Sequence, residues 1–180
     1  MVQNLEQTVP NLISFVILFK LDKLLDSILI AKKIILSTHK QCDGDGLGSQ
    51  LALYYALKSI QKEVRIVNVD ETPRKYRFLK TDDIIEIFEK NPDLSLESDL
   101  CLIFDTNDER LLEPLFAKLK FSSKEIGFVD HHPLLIQGPQ PTEPSWIAPE
   151  SASTGEMAYN IIKALHIPLN EQIAKCLYTS

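Results

Sequence analysis

His39, Asp43 and Asp45 stand in the run His-Lys-Gln-Cys-Asp-Gly-Asp-Gly, directly behind the apolar segment Lys33-Ile34-Ile35-Leu36-Ser37. One imidazole and two carboxylates on so short a loop offer enough nitrogen and oxygen donors to hold a divalent metal ion. Two later segments repeat the pattern of acid or histidine behind an apolar run: Phe104-Asp105-Thr106-Asn107-Asp108 and Val129-Asp130-His131-His132-Pro133. Each has a plainer reading by itself. A lone His-x3-Asp-x-Asp is more often a surface loop, Asp105 alone a strand-end cap, and His131-His132 alone a turn. Their common placement behind strand-like runs points instead to one metal site gathered along one sheet edge.

Two divalent ions about 3.5–4 Å apart can hold the attacking and leaving oxygens of a phosphoryl displacement, and a carboxylate must bridge them. Asp105, alone between the other clusters, is the natural bridge. His39 and Asp43 would then serve one ion, Asp45 and His131 the other. Adjacent His131 and His132 cannot both point the same way from an extended backbone. One therefore ligates, while the other reaches the substrate phosphate as donor or general acid. Asp130 orients the pair from behind. Asp105, Asp130 and His132 form the candidate catalytic set. Mixed His and Asp ligands suit Mn²⁺ or Fe²⁺, with Mg²⁺ or Co²⁺ as substitutes, and the lack of thiolates disfavours zinc. Asp-Gly-Asp-Gly also brushes the calcium-loop pattern, but Leu47 falls on a ligand position and residues 51–55 offer no acid.

The segment Ser151-Ala152-Ser153-Thr154-Gly155 opens a helix with Ser153 or Thr154 as its N-cap. A functional role for Ser153 and Thr154 adds phosphate or nucleotide contact from hydroxyls and backbone N–H groups at that helix N-terminus. Arg74, Lys75 and Arg77 form a small basic cluster, either a solvated face or a substrate contact.

Apolar and polar spacing supplies the elements that must position these residues. Leucine and isoleucine recur at helical intervals over 20–32. Strands are expected at 34–37, 64–69, 100–104 and 126–129, with a short edge strand at 146–147. Helices are expected at 47–60, 74–79, 109–120 and 153–165, and one more begins over 169–178. This alternation predicts an α/β fold, a mostly parallel doubly wound sheet with flanking helices. Ligands in such sheets bind at the carboxyl ends of the strands, where all three clusters sit. Residues 1–19 read as an N-terminal extension or helix, and 20–180 as the catalytic domain.

The bulk numbers fit one domain. The chain has 180 residues, 44% apolar and 24% charged, with a net charge of −6. That balance argues against a nucleic-acid ligand held by a broad basic surface. An anionic ligand would need metal ions for much of its counter-charge. Cys42, Cys101 and Cys176 form neither a disulfide framework nor a thiolate zinc site, and a reducing cytoplasm is the simplest context. Cys42 is a spacer inside the metal loop that could make it sensitive to oxidation. The apolar run over 12–19 is too short to span a bilayer, so no membrane partner is expected.

Together these motifs resemble the DHH phosphoesterase superfamily, named for the triplet that stands here as Asp130-His131-His132. The resemblance runs from about Ile34 to the C-terminus. The wording Asp-Gly-Asp-Gly-Leu-Gly-Ser is most similar to the bacterial nano-RNase and pAp phosphatase (oligoribonuclease) branch. It is less similar to family II inorganic pyrophosphatases, and RecJ-type single-strand exonucleases are further relatives. The resemblance implies two Mn²⁺ ions, the first on His39, Asp43 and Asp105 and the second on Asp45, Asp105 and His131, with His132 on the phosphate. It implies hydrolysis of short oligoribonucleotides or 3′-phosphoadenosine 5′-phosphate (pAp), and a possible homodimer. Cys42 replaces the proline usual before the first loop aspartate. In relatives the last helix leads to a further metal-ligating aspartate, then to a linker and a substrate-binding domain. The expectation is therefore a weakened second metal, impaired activity and exposed apolar surface that favours self-association. The alternatives are a non-catalytic metal- or nucleotide-binding remnant, and an inorganic pyrophosphatase or other small-phosphate hydrolase.

Overall fold

The fold is taken from a computed structural model, which describes residues 12–134, 138 and 140–180, with side chains from Lys20 onward. The first eleven residues of the expected N-terminal segment lie outside the described residues. Helix α1 (Leu12–Ile30) continues through Lys20 without a break.

Six strands follow: β1 (Lys33–Thr38), β2 (Glu63–Asn68), β3 (Ile85–Ile87), β4 (Ser98–Phe104), β5 (Ser123–Asp130) and β6 (Trp146–Ile147). They form one sheet in the order β3-β2-β1-β4-β5-β6, and every pairing is parallel. The sheet is thus wholly parallel among the described residues, where the sequence reading gave mostly parallel. Short strand β3 escapes sequence inspection because Ile85-Glu86-Ile87 is flanked by Asp82-Asp83 and Glu89-Lys90, which read as loop.

Both sheet faces are covered, so β1 and β4 are buried almost end to end rather than alternately. On one face Ile34, Leu36, Ile66, Leu100, Leu102 and Phe104 pack against α1, α2 (Gly44–Ser59), α4 (Thr154–Ala164) and α5 (Glu171–Thr179). On the other, Ile35, Val67, Cys101, Ile103 and Phe128 meet Leu112 and the short helix α3 (Leu115–Ser122). The single helix expected over 109–120 is two pieces, a 3-10 turn at Glu109–Leu112 and α3. Pro114 separates them, because proline lacks the N–H that a continuous helix needs there. Helix α5 lies very close to α2: a Cβ on Gly48 would come within 2.5 Å of the Cys176 carbonyl oxygen.

Strand order reverses between β1 and β4. Such a switch point opens a crevice beyond the strand ends. Register brings three strand ends level there: Thr38 pairs with Phe104, and Phe104 with Val129. His39, Asp105 and Asp130 are the next residues on their strands and so start side by side.

Candidate metal centre

Helix α2 starts at Gly44, three residues earlier than expected, because Asp43 is its N-cap. Asp43 Oδ1 accepts from the Asp45 N–H at 2.8 Å and the Gly46 N–H at 3.4 Å, which leaves its other oxygen free for a ligand. Burial alone would raise the Asp43 pKa, but those two N–H groups, Asp105 and His39 hold it below its ordinary value. The early start also brings α2 against the sheet end. A Cβ on Gly46 would collide with Thr38 Oγ1 and lie 3.2 Å from Asp105.

Asp105 adopts φ 62°, a left-handed conformation that aspartate tolerates better than most residues. Its N–H donates to the Val129 carbonyl at 3.0 Å, which fixes the turn against β5. Its two carboxylate oxygens face different neighbours. Oδ2 lies 3.6 Å from His39 Nε2, whereas Oδ1 lies 3.9 Å from His131 Nε2 and accepts from Thr154 Oγ1 at 3.3 Å. Burial pushes the Asp105 pKa up, His39 pulls it back, and the charges of Asp45 and Asp43 add to the rise.

His39 Nδ1 lies 2.8 Å from the adjacent Lys40 carbonyl, so Nδ1 is the donor and Nε2 presents its lone pair to the site. The Asp105 carboxylate raises the His39 pKa, desolvation opposes the rise, and the Lys40 carbonyl adds to it. On the far side, Asp45 Oδ2 lies 3.5 Å from His131 Nε2. Asp45 also accepts from the Thr154 and Gly155 N–H groups, each at 2.8 Å. The α4 N-terminus expected to receive a substrate phosphate thus receives Asp45 instead. The Ser153 hydroxyl is taken up capping Glu156 N at 3.1 Å, and Thr154 is fully buried.

His131 and His132 do not diverge as an extended strand would require. The strand ends at Asp130, the chain bends at His132, and the two rings lie 4.5 Å apart. His132 Nδ1 is 3.8 Å from Asp105 Oδ1 but only 2.8 Å from Asp130 Oδ1. That nitrogen is engaged by Asp130, so its outer nitrogen is the one left for a ligand. Desolvation would lower the His132 pKa, yet Asp130, Asp105 and Asp45 together outweigh it and raise the value. Asp130 is completely buried and is held by Asn107, whose Nδ2 donates to Asp130 Oδ2 at 2.7 Å and to the His132 carbonyl at 3.1 Å. Sequence reasoning gave Asn107 no role. Its place two residues after Asp105, at the same strand end, was the available signal.

The donor set fits divalent cations. Ligand atoms of His39, Asp43 and Asp105 lie within 4.8 Å of one another, as do those of Asp105, His131 and His132. The N···O separations of 3.5–3.9 Å are too long for hydrogen bonds. Two donors each about 2.1 Å from one ion lie roughly 3.0 Å apart when cis and roughly 4.2 Å apart when trans, which brackets those separations. Asp105 belongs to both groups, and Asp45 keeps lone pairs beyond its two N–H bonds. Beside the donors opens a cleft of about 380 Å³, lined by His39, Asp43, Asp105, Asn107, Asp108 and His132 among others. Cys42 lies inside the core and burial pushes its thiol up to about 12, so the loop carries no reactive thiolate at neutral pH. Among the described residues no helix is long and apolar enough to cross a membrane.

Among solved structures, the chain is similar to an exopolyphosphatase-related protein from Bacteroides fragilis, with 23% identity and a TM-score of 0.78 over 91% of this chain and 49% of that one. It is also similar to RecJ in complex with Mn²⁺ from Thermus thermophilus, with 19% identity and a TM-score of 0.48 over 89% of this chain and 23% of that one. The chain therefore spans about half the length of the first and under a quarter of the second. The first likeness shows the fold. A comparison with curated proteins finds no match. Residues 33–180 match the DHH family, N-terminal domain, and with the Asp130-His131-His132 triplet seated at the metal-donor cluster, the chain belongs to the DHH family.

Proposed function

We propose that this chain hydrolyses phosphate esters of short oligoribonucleotides or pAp with the help of two divalent ions, Mn²⁺ foremost. The observation that carries the reading is the placement of the two Asp105 oxygens, one toward His39 and one toward His131, at the switch point of a parallel sheet. His39, Asp43 and Asp105 would hold one ion, and Asp105, Asp45 and His131 the other. Ions held there would supply Lewis-acid charge to phosphoryl oxygens.

The protein's own groups account for the rest. Asp130 fixes the His132 ring through Nδ1, and the raised pKa of His132 favours the imidazolium form. Its outer nitrogen can then donate to a phosphate oxygen, or pass a proton to a leaving oxygen. Asn107 keeps Asp130 in place by donating to its second oxygen. Thr106 and Asn107, which line the cleft with Asp105, are themselves buried.

The deciding experiment is Mn²⁺-dependent release of nucleotide from a five-residue RNA, with pAp and pyrophosphate in parallel and Asp105→Ala as control. Release that needs Mn²⁺ and disappears in the control supports the reading. No release from any substrate by folded protein would overturn it. Turnover confined to pyrophosphate would transfer the site to phosphoanhydrides, the chemistry that the exopolyphosphatase-related neighbour's name suggests.

A further inference from the structure

After β2 the chain enters a 3-10 turn, Arg74–Leu79. Arg74, Lys75, Arg77 and Lys80 place four cations within seven residues of a chain whose net charge is −6. All four are exposed, and among the described residues none forms an ion pair. Of the nearest preceding acids, Glu71 pairs with Lys90 Nζ at 2.6 Å and lies within reach of the Arg77 charge, and Asp70 accepts from the Gln41 N–H at 2.9 Å. Asp82 and Asp83 follow the strip and bound it.

The strip joins the candidate centre through Tyr76. The Tyr76 hydroxyl lies over Gly44, 3.3 Å from where a Cβ there would sit, next to the metal-facing Asp43. Lys75 Nζ stands 4.8 Å from the centre of the Tyr76 ring and feels the charge of Asp43, so the cations begin on the Asp43 side of the centre. Within the strip Phe78 is 51% exposed, and Lys175 Nζ stands 5.5 Å from the centre of its ring, which adds a further cation and leaves the opposite face for a base. Cations alternating with an exposed aromatic ring are what single-stranded nucleic acid needs: charge for the backbone and a flat face for a base.

We infer that the segment from Arg74 to Lys80 is a binding strip for single-stranded oligonucleotide, with Arg74, Lys75 and Arg77 on backbone phosphates and Phe78 against a base, extending the ligand away from the metal cleft on its Asp43 side. This inference rests on the oligonucleotide reading above and assigns the residues that favour a chain of nucleotides over a small phosphate.

The test is fluorescence anisotropy of a labelled five-nucleotide single-stranded RNA with the 180-residue protein in EDTA, over a salt series. Without metal no turnover occurs, so a failure of the hydrolysis reading leaves this measurement intact. The unmodified protein is expected to lose affinity with salt on a log–log slope of about −2, about 0.7 per neutralised phosphate for a single strand. Arg74→Gln/Arg77→Gln should flatten that slope by about 1.4. Phe78→Ala should weaken binding at least about fivefold, since the lost stack acts at any salt. Circular dichroism melts of each variant show that it is folded. A slope near zero in the unmodified protein, or variants that melt normally and bind like it, would overturn the strip. Equal competition by inorganic polyphosphate, with Phe78→Ala binding unchanged, would overturn the contact with a base.

Discussion

At φ 62° Asp105 turns its carboxylate back over the sheet end, where burial and the charges of Asp45 and Asp43 raise its pKa. A buried acid among other acids costs stability until a cation joins it. Asp105→Asn should therefore stabilise the metal-free protein by about 1 kcal/mol and weaken Mn²⁺ binding by at least roughly 100-fold. Urea unfolding in EDTA and titration calorimetry would show the two effects moving in opposite directions. A variant that lost stability without metal and kept its Mn²⁺ affinity would deny Asp105 its bridging place. Asn107 makes the complementary case, because its amide is a partner of the fully buried Asp130 carboxylate. Asn107→Leu keeps the branched outline but leaves that carboxylate oxygen unpaired, and should cost about 2–3 kcal/mol. The same change should loosen His132, seen as faster ring exchange by NMR. A loss under about 0.5 kcal/mol would mean that water replaces the amide without penalty.

Elements place these residues by how closely they can approach. Helix α2 reaches the sheet end because Gly46 has no Cβ to strike Thr38 Oγ1 and Asp105. Gly46→Ala gains helix propensity but forces the helix or the strand to shift. Its net effect should be a loss of about 1–3 kcal/mol, together with weaker Mn²⁺ binding, because Asp43 and Asp45 ride on that first turn. Equal or greater stability with unchanged metal affinity would show that the contact relaxes freely. The sequence placed the start of this helix at Leu47, since Gly44 and Gly46 read as a tight turn. Capping by Asp43 and the tertiary approach outweigh that preference. Pro114 acts in the reverse sense, dividing a segment whose periodicity reads as one helix.

The whole sheet is also tied at the end away from the centre. Asp99 accepts from the Lys32 and Lys33 N–H groups, each at 2.9 Å, and pairs with Lys124 Nζ at 2.7 Å, so it links the entry to β1 with β5. Lys124 and the two backbone N–H groups hold the Asp99 pKa far below the usual carboxylate range. A group depressed in the folded state contributes stability above its unfolded pKa, about 3.9 for aspartate, and loses that contribution as pH falls toward the folded value. The stability gap between the protein and Asp99→Asn should thus be constant from pH 7 to about pH 5 and shrink below about pH 4. Guanidinium titrations at a series of pH values would measure it. A gap that grew on acidification would reverse the assigned sign.

By itself the sequence determined the chemistry on offer and the layer in which it sits. Asp, His and Gly types at strand ends announced metal donors, and alternating apolar runs announced a parallel sheet, because both depend on local residue type and spacing. Tertiary structure decided which donors face one another. Register alone levels His39, Asp105 and Asp130, and strand order alone puts β1 beside β4 at the switch point. The direction of His132 toward Asp130, the role of Asn107, the filling of the α4 N-terminus by Asp45 and the burial of Cys42 all depend on contacts between segments far apart in the chain. Spacing along one strand or helix carries no information about such contacts, since close packing fixes them only once the layers meet.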